Sequence, residues 1–220
     1  MKEVLIVYTK FDTQLVEEHL NKYLKLLPGW IQLESNKYYK WQDRQSYIFG
    51  KIILLQGLEI IGCNGGELHN IKIGEYGKPY LKNDVEFNIS HSGGYVVCAL
   101  GFDITIGIDI ELITKINFKE FANVMNEKQW KEINKSFNPL HTFYRYWTSK
   151  ESIMKADGRG FGINPKNISI SKATGKFDND LWFLQNFHIS DKICGYLATN
   201  QQNVSLDLKE IKLFGENIEY

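Results

Sequence analysis

Asp109 and Glu111 close a very apolar run, Ile104-Thr-Ile-Gly-Ile-Asp109-Ile-Glu111. Strand alternation puts Ile104, Ile106, Ile108 and Ile110 on one face and both acids on the other. Two like charges side by side repel unless a cation or a base lies between them. Either the strand end is simply exposed, or the two acids form a divalent-metal pair. A third carboxylate, Glu151, would complete a hard-oxygen set suited to Mg²⁺, which takes a few carboxylates plus phosphate oxygens and water. Glu151 stands four residues before Lys155, on one helix face; as an exposed pair the two would add only about 0.2–0.5 kcal/mol of helix stability. Ser90-His91-Ser92 before Gly93-Gly94 reads as a turn offering hydroxyls, an imidazole and free amides, donors that suit phosphate oxygens. Lys37, Lys40 and Arg44 fall at i, i+3 and i+7 of an expected helix, either a solvated basic face or a clamp on a terminal phosphate. Together these groups suit phosphoryl-type transfer from a diphosphate-containing donor.

Other chemistries find less support. Adjacent Ser and His on a strand point to opposite faces, and no G-x-S-x-G elbow occurs, which disfavours an acyl-transfer pair. Neither a P-loop nor a G-x-G-x-x-G fingerprint is present. The three cysteines, Cys63, Cys98 and Cys194, lie far apart in or beside apolar segments. Their spacing fits no zinc or redox motif and implies buried thiols in a reducing compartment. Lysine plus arginine equals aspartate plus glutamate, 26 each. That balance argues against a general binder of nucleic acid or anionic membrane. The apolar run near the N-terminus is too short for a signal peptide, and no later run reaches membrane-spanning length. A cytoplasmic protein without membrane contact is expected.

The elements that must position these groups follow from periodicity and breakers. Val4 to Tyr8 reads as a strand. A helix capped by Asp12 or Thr13 runs to about Leu27, with His19 partly buried. A longer helix runs from about Glu34 to Gln56, approached closely by another element near Gly50. A strand enters a turn over residues 71–80, stiffened at Pro79. Strands follow at Phe87–Ile89 and at Tyr95–Leu100. Helices are expected over Phe118–Met125 and Glu127–Phe137. A third, Leu140–Ala156, carries Glu151 and Lys155 and stops at Gly158. The remainder is strand-rich, at residues 168–171, 182–189 and 193–199, with a turn at residues 173–175. At 220 residues the chain can build one domain or two small ones. The coarse order repeats, helical material and then a strand meander, which hints at two halves with a cleft between them.

Four blocks occur in order: Gly77-Lys78-Pro79, Phe87-Asn-Ile-Ser90-His91-Ser92, Ile106-Gly-Ile-Asp109-Ile-Glu111 and Trp147-Thr-Ser-Lys150-Glu151-Ser-Ile-Met-Lys155. In series they resemble the signature of the surfactin-synthetase-type 4′-phosphopantetheinyl transferase family, over about residues 37–162. The resemblance implies a pseudo-dimeric α+β fold with two similar halves, each a small antiparallel sheet packed on helices. Residues 1–108 would make the coenzyme A nucleotide contacts; residues 109–220 would carry the magnesium set and the catalytic helix. It implies transfer of the phosphopantetheine arm from coenzyme A to a serine of an apo acyl or peptidyl carrier protein. Adenosine 3′,5′-bisphosphate would be released. By the same resemblance Asp109, Glu111 and Glu151 match Mg²⁺ ligands. Ser90 and His91 match contacts to coenzyme A phosphates, Lys78 a residue near the adenine, and Lys150 and Lys155 the lysines of the last block, Lys155 beside the diphosphate. Lys37, Lys40 and Arg44 would hold the 3′-phosphate, although Ser46 stands where the family usually has a basic residue.

The expected mechanism has Glu151 as base toward the carrier serine, directly or through metal-bound water, and Lys155 on the leaving phosphate. Two halves in one chain make a monomer sufficient. The rival readings are another Mg²⁺-dependent phosphotransferase and a non-catalytic module that binds a carrier protein or coenzyme A.

Overall fold

The computed structural model describes residues 2–213. β1 (Glu3–Lys10) is followed by α1 (Glu17–Leu24), α2 (Gly29–Ser35) and α3 (Trp41–Ile60). A small hairpin, β2 (Lys72–Ile73) and β3 (Pro79–Tyr80), precedes β4 (Val85–Ser92), β5 (Tyr95–Phe102) and β6 (Ile106–Leu112). Two helices come next, α4 (Glu127–Lys135) and α5 (Pro139–Asp157). The last described elements are β7 (Ser169–Ser171), β8 (Thr174–Phe177), β9 (Asp180–Phe187), β10 (Ile193–Thr199) and β11 (Ser205–Glu210). The fold class is α+β, as expected.

Two sheets organise these elements. One has the order β11-β1-β5-β4 and the other β6-β10-β9-β8-β7. Helices α1 to α3 cover one face of the first sheet, burying Leu20, Tyr23, Phe49 and Ile52 against Val7, Cys98 and Leu100. Its other face supplies Val4, Ile6, Val97 and Ala99 to a layer shared with Ile106, Ile108, Ile110 and Leu197 of the second sheet. Helix α5 then closes the far side, with Ile153, Met154 and Ala156 on Phe177, Trp182 and Leu184. The isoleucine face of β6 is thus buried between sheets, and its polar face turns toward α5. Each fully buried large apolar side chain contributes about 1.5–3 kcal/mol. That burial keeps a strand bearing two acids in the interior.

Several expectations change. The long helix from Glu34 is broken: α2 ends at Ser35, residues 36–40 are non-helical, and α3 starts at Trp41. The first helix spans only Glu17–Leu24, with no side-chain cap, and His19 is exposed. Neither Asp12 nor Thr13 caps it, because Val16 holds the cap position in extended conformation. Ser90, His91 and Ser92 lie in β4, not in a turn. The turn is Gly93-Gly94, with φ of 57° and 80°, values that a two-residue hairpin needs and that glycine adopts at little cost. Phe137 lies beyond α4 and is exposed. Part of the expected turn at residues 173–175 belongs to β8.

The strand β11 was not expected. It pairs in parallel with β1, Glu3 opposite Ser205, so the first sheet is not wholly antiparallel and the chain returns to it after completing the second. The 108/109 division falls inside β6, and residues 214–220 lie outside the described residues. The close approach expected near Gly50 is present: a Cβ there would lie 3.1 Å from Ile89 Cγ2. No helix among the described residues is long and apolar enough to cross a membrane. Cys98 and Cys194 are buried and Cys63 is half-buried, all three as free thiols.

Candidate active site

Helix α5 can lie directly on β6 because position 107 is glycine. A Cβ at Gly107 would sit 2.0 Å from the carbonyl oxygen of Ser152 and 2.3 Å from the nitrogen of Ala156. Gly107, Asp109 and Glu111 share one strand face, while Trp147, Glu151 and Lys155 recur every four residues along the helix. The two stripes therefore run side by side. The helix itself is well bounded: the Asn138 side chain accepts from His141 N–H at 3.1 Å, Pro139 opens the first turn, and Gly158 (φ 87°) ends the last.

The contacts between the stripes are specific. Lys155 Nζ donates to Asp109 Oδ1 at 2.7 Å and to Ser90 Oγ at 2.9 Å. Trp147 Nε1 donates to Glu111 Oε1 at 3.0 Å. Ser90 Oγ donates to Asp109 Oδ1 at 2.9 Å and accepts from Ile110 N–H at 3.3 Å. A serine hydroxyl has one donor and two acceptor positions, so Ser90 is fully used by Asp109, Ile110 and Lys155. In this arrangement it fixes the Asp109 carboxylate.

Electrostatics follow from burial. Glu151 is pushed up to about 7, first by desolvation and then by the charge of Asp109, with Lys155 opposing. Burial and then Asp109 also raise Glu111. Burial raises Asp109, which is only 4% exposed, while Lys155 and Ser90 work against that shift. Asp109 Oδ2 is buried and has no hydrogen-bond partner among the described residues. A stranded carboxylate oxygen costs desolvation energy unless something pairs with it.

Beside these groups opens a cavity of about 270 Å³, lined by Tyr76, Lys78, Pro79, Asn88, Glu151 and Lys155 among others. A second hollow, of about 390 Å³, lies past His91 and is lined also by Trp41, Asp43 and Ser46. His91 follows Ser90 on the strand and so faces the other way, which separates the two predicted phosphate contacts.

Not every predicted site residue joins the cluster. Lys78 lines the cavity with its stem, but its ammonium is held by Glu86 Oε1 (2.5 Å), the Ile106 carbonyl (3.1 Å) and the Ala156 carbonyl (3.1 Å). Lys150 is wholly buried on another face of α5 and donates to the carbonyls of Val124 (2.8 Å) and Pro165 (2.7 Å). Lys37 pairs with Glu34 at 2.6 Å, Lys40 is exposed at the start of α3, and Arg44 reaches Glu17 at 3.2 Å. These three share no helix face, because the helix that would have aligned them is interrupted at residues 36–40. Asp109, Glu111 and Glu151 sense one another's charge. Even so, no group of three or more His, Cys, Asp or Glu side chains converges closely enough to hold a metal among the described residues. Lys155 takes one oxygen of Asp109, and Trp147 and Ser92 take one each of Glu111.

Asn88 was missed as a site residue. It lines the cavity, and its Oδ1 accepts from Ile108 N–H at 2.9 Å. The signal was available as hydrogen-bonding side chains at positions 88, 90 and 92, alternate residues on one strand face.

Residues 105–199, which include β6 and α5, match the model of the 4′-phosphopantetheinyl transferase superfamily. That match takes in less than half of the chain, which resembles the superfamily over this stretch. It is 32% identical over 138 residues to the 4′-phosphopantetheinyl transferase gsp of Aneurinibacillus migulanus, covering 62% of this chain and 58% of the relative. It is 32% identical over 158 residues to the L-aminoadipate-semialdehyde dehydrogenase-phosphopantetheinyl transferase of Xenopus laevis, covering 61% and 52%. Against the 4′-phosphopantetheinyl transferase Sfp of Bacillus subtilis the identity is 26% over 164 residues, covering 72% of each. The chain thus spans between half and three-fifths of the length of the first two relatives.

Proposed function

We propose that this chain is a member of the superfamily and transfers the 4′-phosphopantetheine arm of coenzyme A to a serine of an apo acyl or peptidyl carrier protein. The observation that carries the proposal is Lys155, which shares with Glu151 the wall of a cavity bounded by the Gly77-Lys78-Pro79 loop and reaches Asp109 behind it. The residues from Asp109 onward supply the acids and the base, and the upstream loop supplies the nucleotide side of the cavity.

The donor set fits Mg²⁺ in its chemistry. Among the described residues Asp109 Oδ2 is a buried oxygen without a hydrogen-bond partner, and three carboxylates with raised pKa values face the Lys155 ammonium. Although no three of these groups close on one point here among the described residues, Asp109, Glu111 and Glu151 would hold the ion, which when bound would neutralise diphosphate charge and polarise the phosphorus under attack. The remaining work falls to the chain. Glu151, poised near pH 7, takes the proton of the carrier serine as its oxygen attacks the phosphorus bearing the pantetheine arm. The bond from that phosphorus to the bridging diphosphate oxygen breaks, and adenosine 3′,5′-bisphosphate leaves with the electron pair. Lys155 stabilises the charge that develops there. Free thiols fit a reducing cytoplasm, and both sides of the cavity come from one chain, so a monomer suffices.

Intact-mass spectrometry of a panel of apo carrier proteins with coenzyme A and Mg²⁺, with and without chelator, tests this. A chelator-sensitive gain of one phosphopantetheine on serine is expected. Coenzyme A binding with no mass gain on any carrier would favour a binding module instead. Mass transfer from another diphosphate donor, with coenzyme A left intact, would favour a different phosphotransferase.

A further inference from the structure

Strands β4 and β6 lie edge to edge without a backbone ladder between them. Side chains of β4 take its place. Asn88 Oδ1 accepts from Ile108 N–H at 2.9 Å, Ser90 Oγ from Ile110 N–H at 3.3 Å, and Ser92 Oγ from Leu112 N–H at 3.0 Å. The offset is constant at 20 residues across all three rungs. Both serines then pass a hydrogen bond on to the acid before the amide they accept from. Ser90 donates to Asp109 Oδ1 at 2.9 Å and Ser92 donates to Glu111 Oε2 at 3.0 Å.

We propose that Ser92 is a positioning residue that fixes the plane of the Glu111 carboxylate through this second rung; its bearing on metal use rests on the proposed function. The terminal torsion of a glutamate is broad and roughly two-fold. One hydrogen bond leaves that rotation free; two, one on each oxygen, stop it. Trp147 Nε1 holds Oε1 and Ser92 Oγ holds Oε2, so the carboxylate is pinned from the helix and from the neighbouring strand together. The hairpin end is shaped for this contact. A Cβ at Gly93 would lie 2.7 Å from Leu112 Cδ2, so a side chain after Ser92 would push β4 away from β6.

Ser92→Ala removes the hydroxyl, and Ser92→Thr retains it in a residue that strands accommodate well. Two readouts are taken on each. The first, free of metal and substrate, is the indole Nε1–H resonance of Trp147 in an NMR spectrum, assigned with Trp147→Phe. It should move in Ser92→Ala and return toward its original position in Ser92→Thr. The second is the Mg²⁺ concentration for half-maximal carrier modification, which should rise roughly 10–100-fold in Ser92→Ala, the usual scale for losing an outer partner of a ligating group, and recover in Ser92→Thr. An unmoved indole resonance with an unchanged Mg²⁺ requirement would overturn the proposal. So would a lower melting temperature with the Mg²⁺ requirement intact, which would make Ser92 a packing residue only. Should the unaltered protein modify no carrier, the proposed function alone falls, because the indole resonance still reports whether Ser92 fixes the partner of Trp147.

Discussion

Lys150 and Lys155 stand on the same helix, five residues apart, and do opposite work. Lys155 reaches across to Asp109 and Ser90 at the cavity wall. Lys150 points into the packed interior and ties the Val124 and Pro165 carbonyls to α5. Burial pulls its pKa down to about 7, which is what a structural cation in an apolar setting undergoes. Two lysines in one short block thus divide into a site residue and a strut, and only helix geometry separates them. The stripe 147, 151, 155 faces the acids of β6. Positions 150, 153 and 157 lie on another face, and Ile153 there is fully buried.

The sharpest way to test the active face is Glu151→Gln. Carrier modification should fall by about 10²–10⁴-fold, the usual range for removing a general base. Stability should not fall with it. The folded carboxyl is raised to about 7 from 4.5, so the anion at pH 8 is less comfortable in the fold than in the unfolded chain, and that penalty grows as pH rises from 4.5 to 7. At pH 8 the glutamine variant should melt no lower than the parent. Full activity in the variant would remove Glu151 from the mechanism.

The two lysines should exchange effects in a paired comparison. Lys155→Met should depress transfer strongly while shifting the melting temperature little. Lys150→Met strands the two partly buried carbonyls that Lys150 holds, at a cost of about 1–3 kcal/mol each at most, so chemical denaturation should show the larger loss there. Its turnover per folded molecule should stay near the parent's. Equal loss of turnover in both variants would merge the two faces into one functional unit.

The same contrast separates what could be read in the sequence from what could not. Asp109 and Glu111 were legible because alternation in an isoleucine-rich strand fixes which face they take, and burial of the other face enforces it. Glu151 and Lys155 were legible because the helix around them runs uninterrupted from Pro139 to Asp157. The basic trio Lys37, Lys40 and Arg44 does not align on one helix face, because its spacing was projected onto a helix that stops at Ser35 and restarts at Trp41. Helix-like periodicity continued through residues 36–40, yet the chain leaves the helix there, with all five residues exposed. Lys150 was assigned to the ligand by its place in a motif; its direction depends on where neighbouring carbonyls lie, which no local pattern records. The return of β11 to β1 is a contact between residues about two hundred positions apart, and nothing near Ser205 announces its partner.

A smaller effect bears on the structural face alone. Asp157, at the end of α5, accepts from Arg159 Nε at 2.6 Å and Nη2 at 2.7 Å, and Arg159 goes on to Asp178 at 3.0 Å. This chain ties the helix end to the β8–β9 turn. The Arg159 hydrogen bonds hold the Asp157 carboxyl below its usual 3.8. A depressed folded pKa adds stability that is fully present above the unfolded value and is lost as pH falls through the folded one. Asp157→Asn should therefore melt below the parent at pH 7, and the gap should narrow only once pH drops beneath about 3.8, closing in stronger acid. Because Asp157 lies off the 147-151-155 stripe, transfer per folded molecule should be unchanged. A gap that persists undiminished in strong acid would show that Asp157 acts through packing rather than charge. A fall in turnover without a fall in melting temperature would show that the two faces of α5 are not independent.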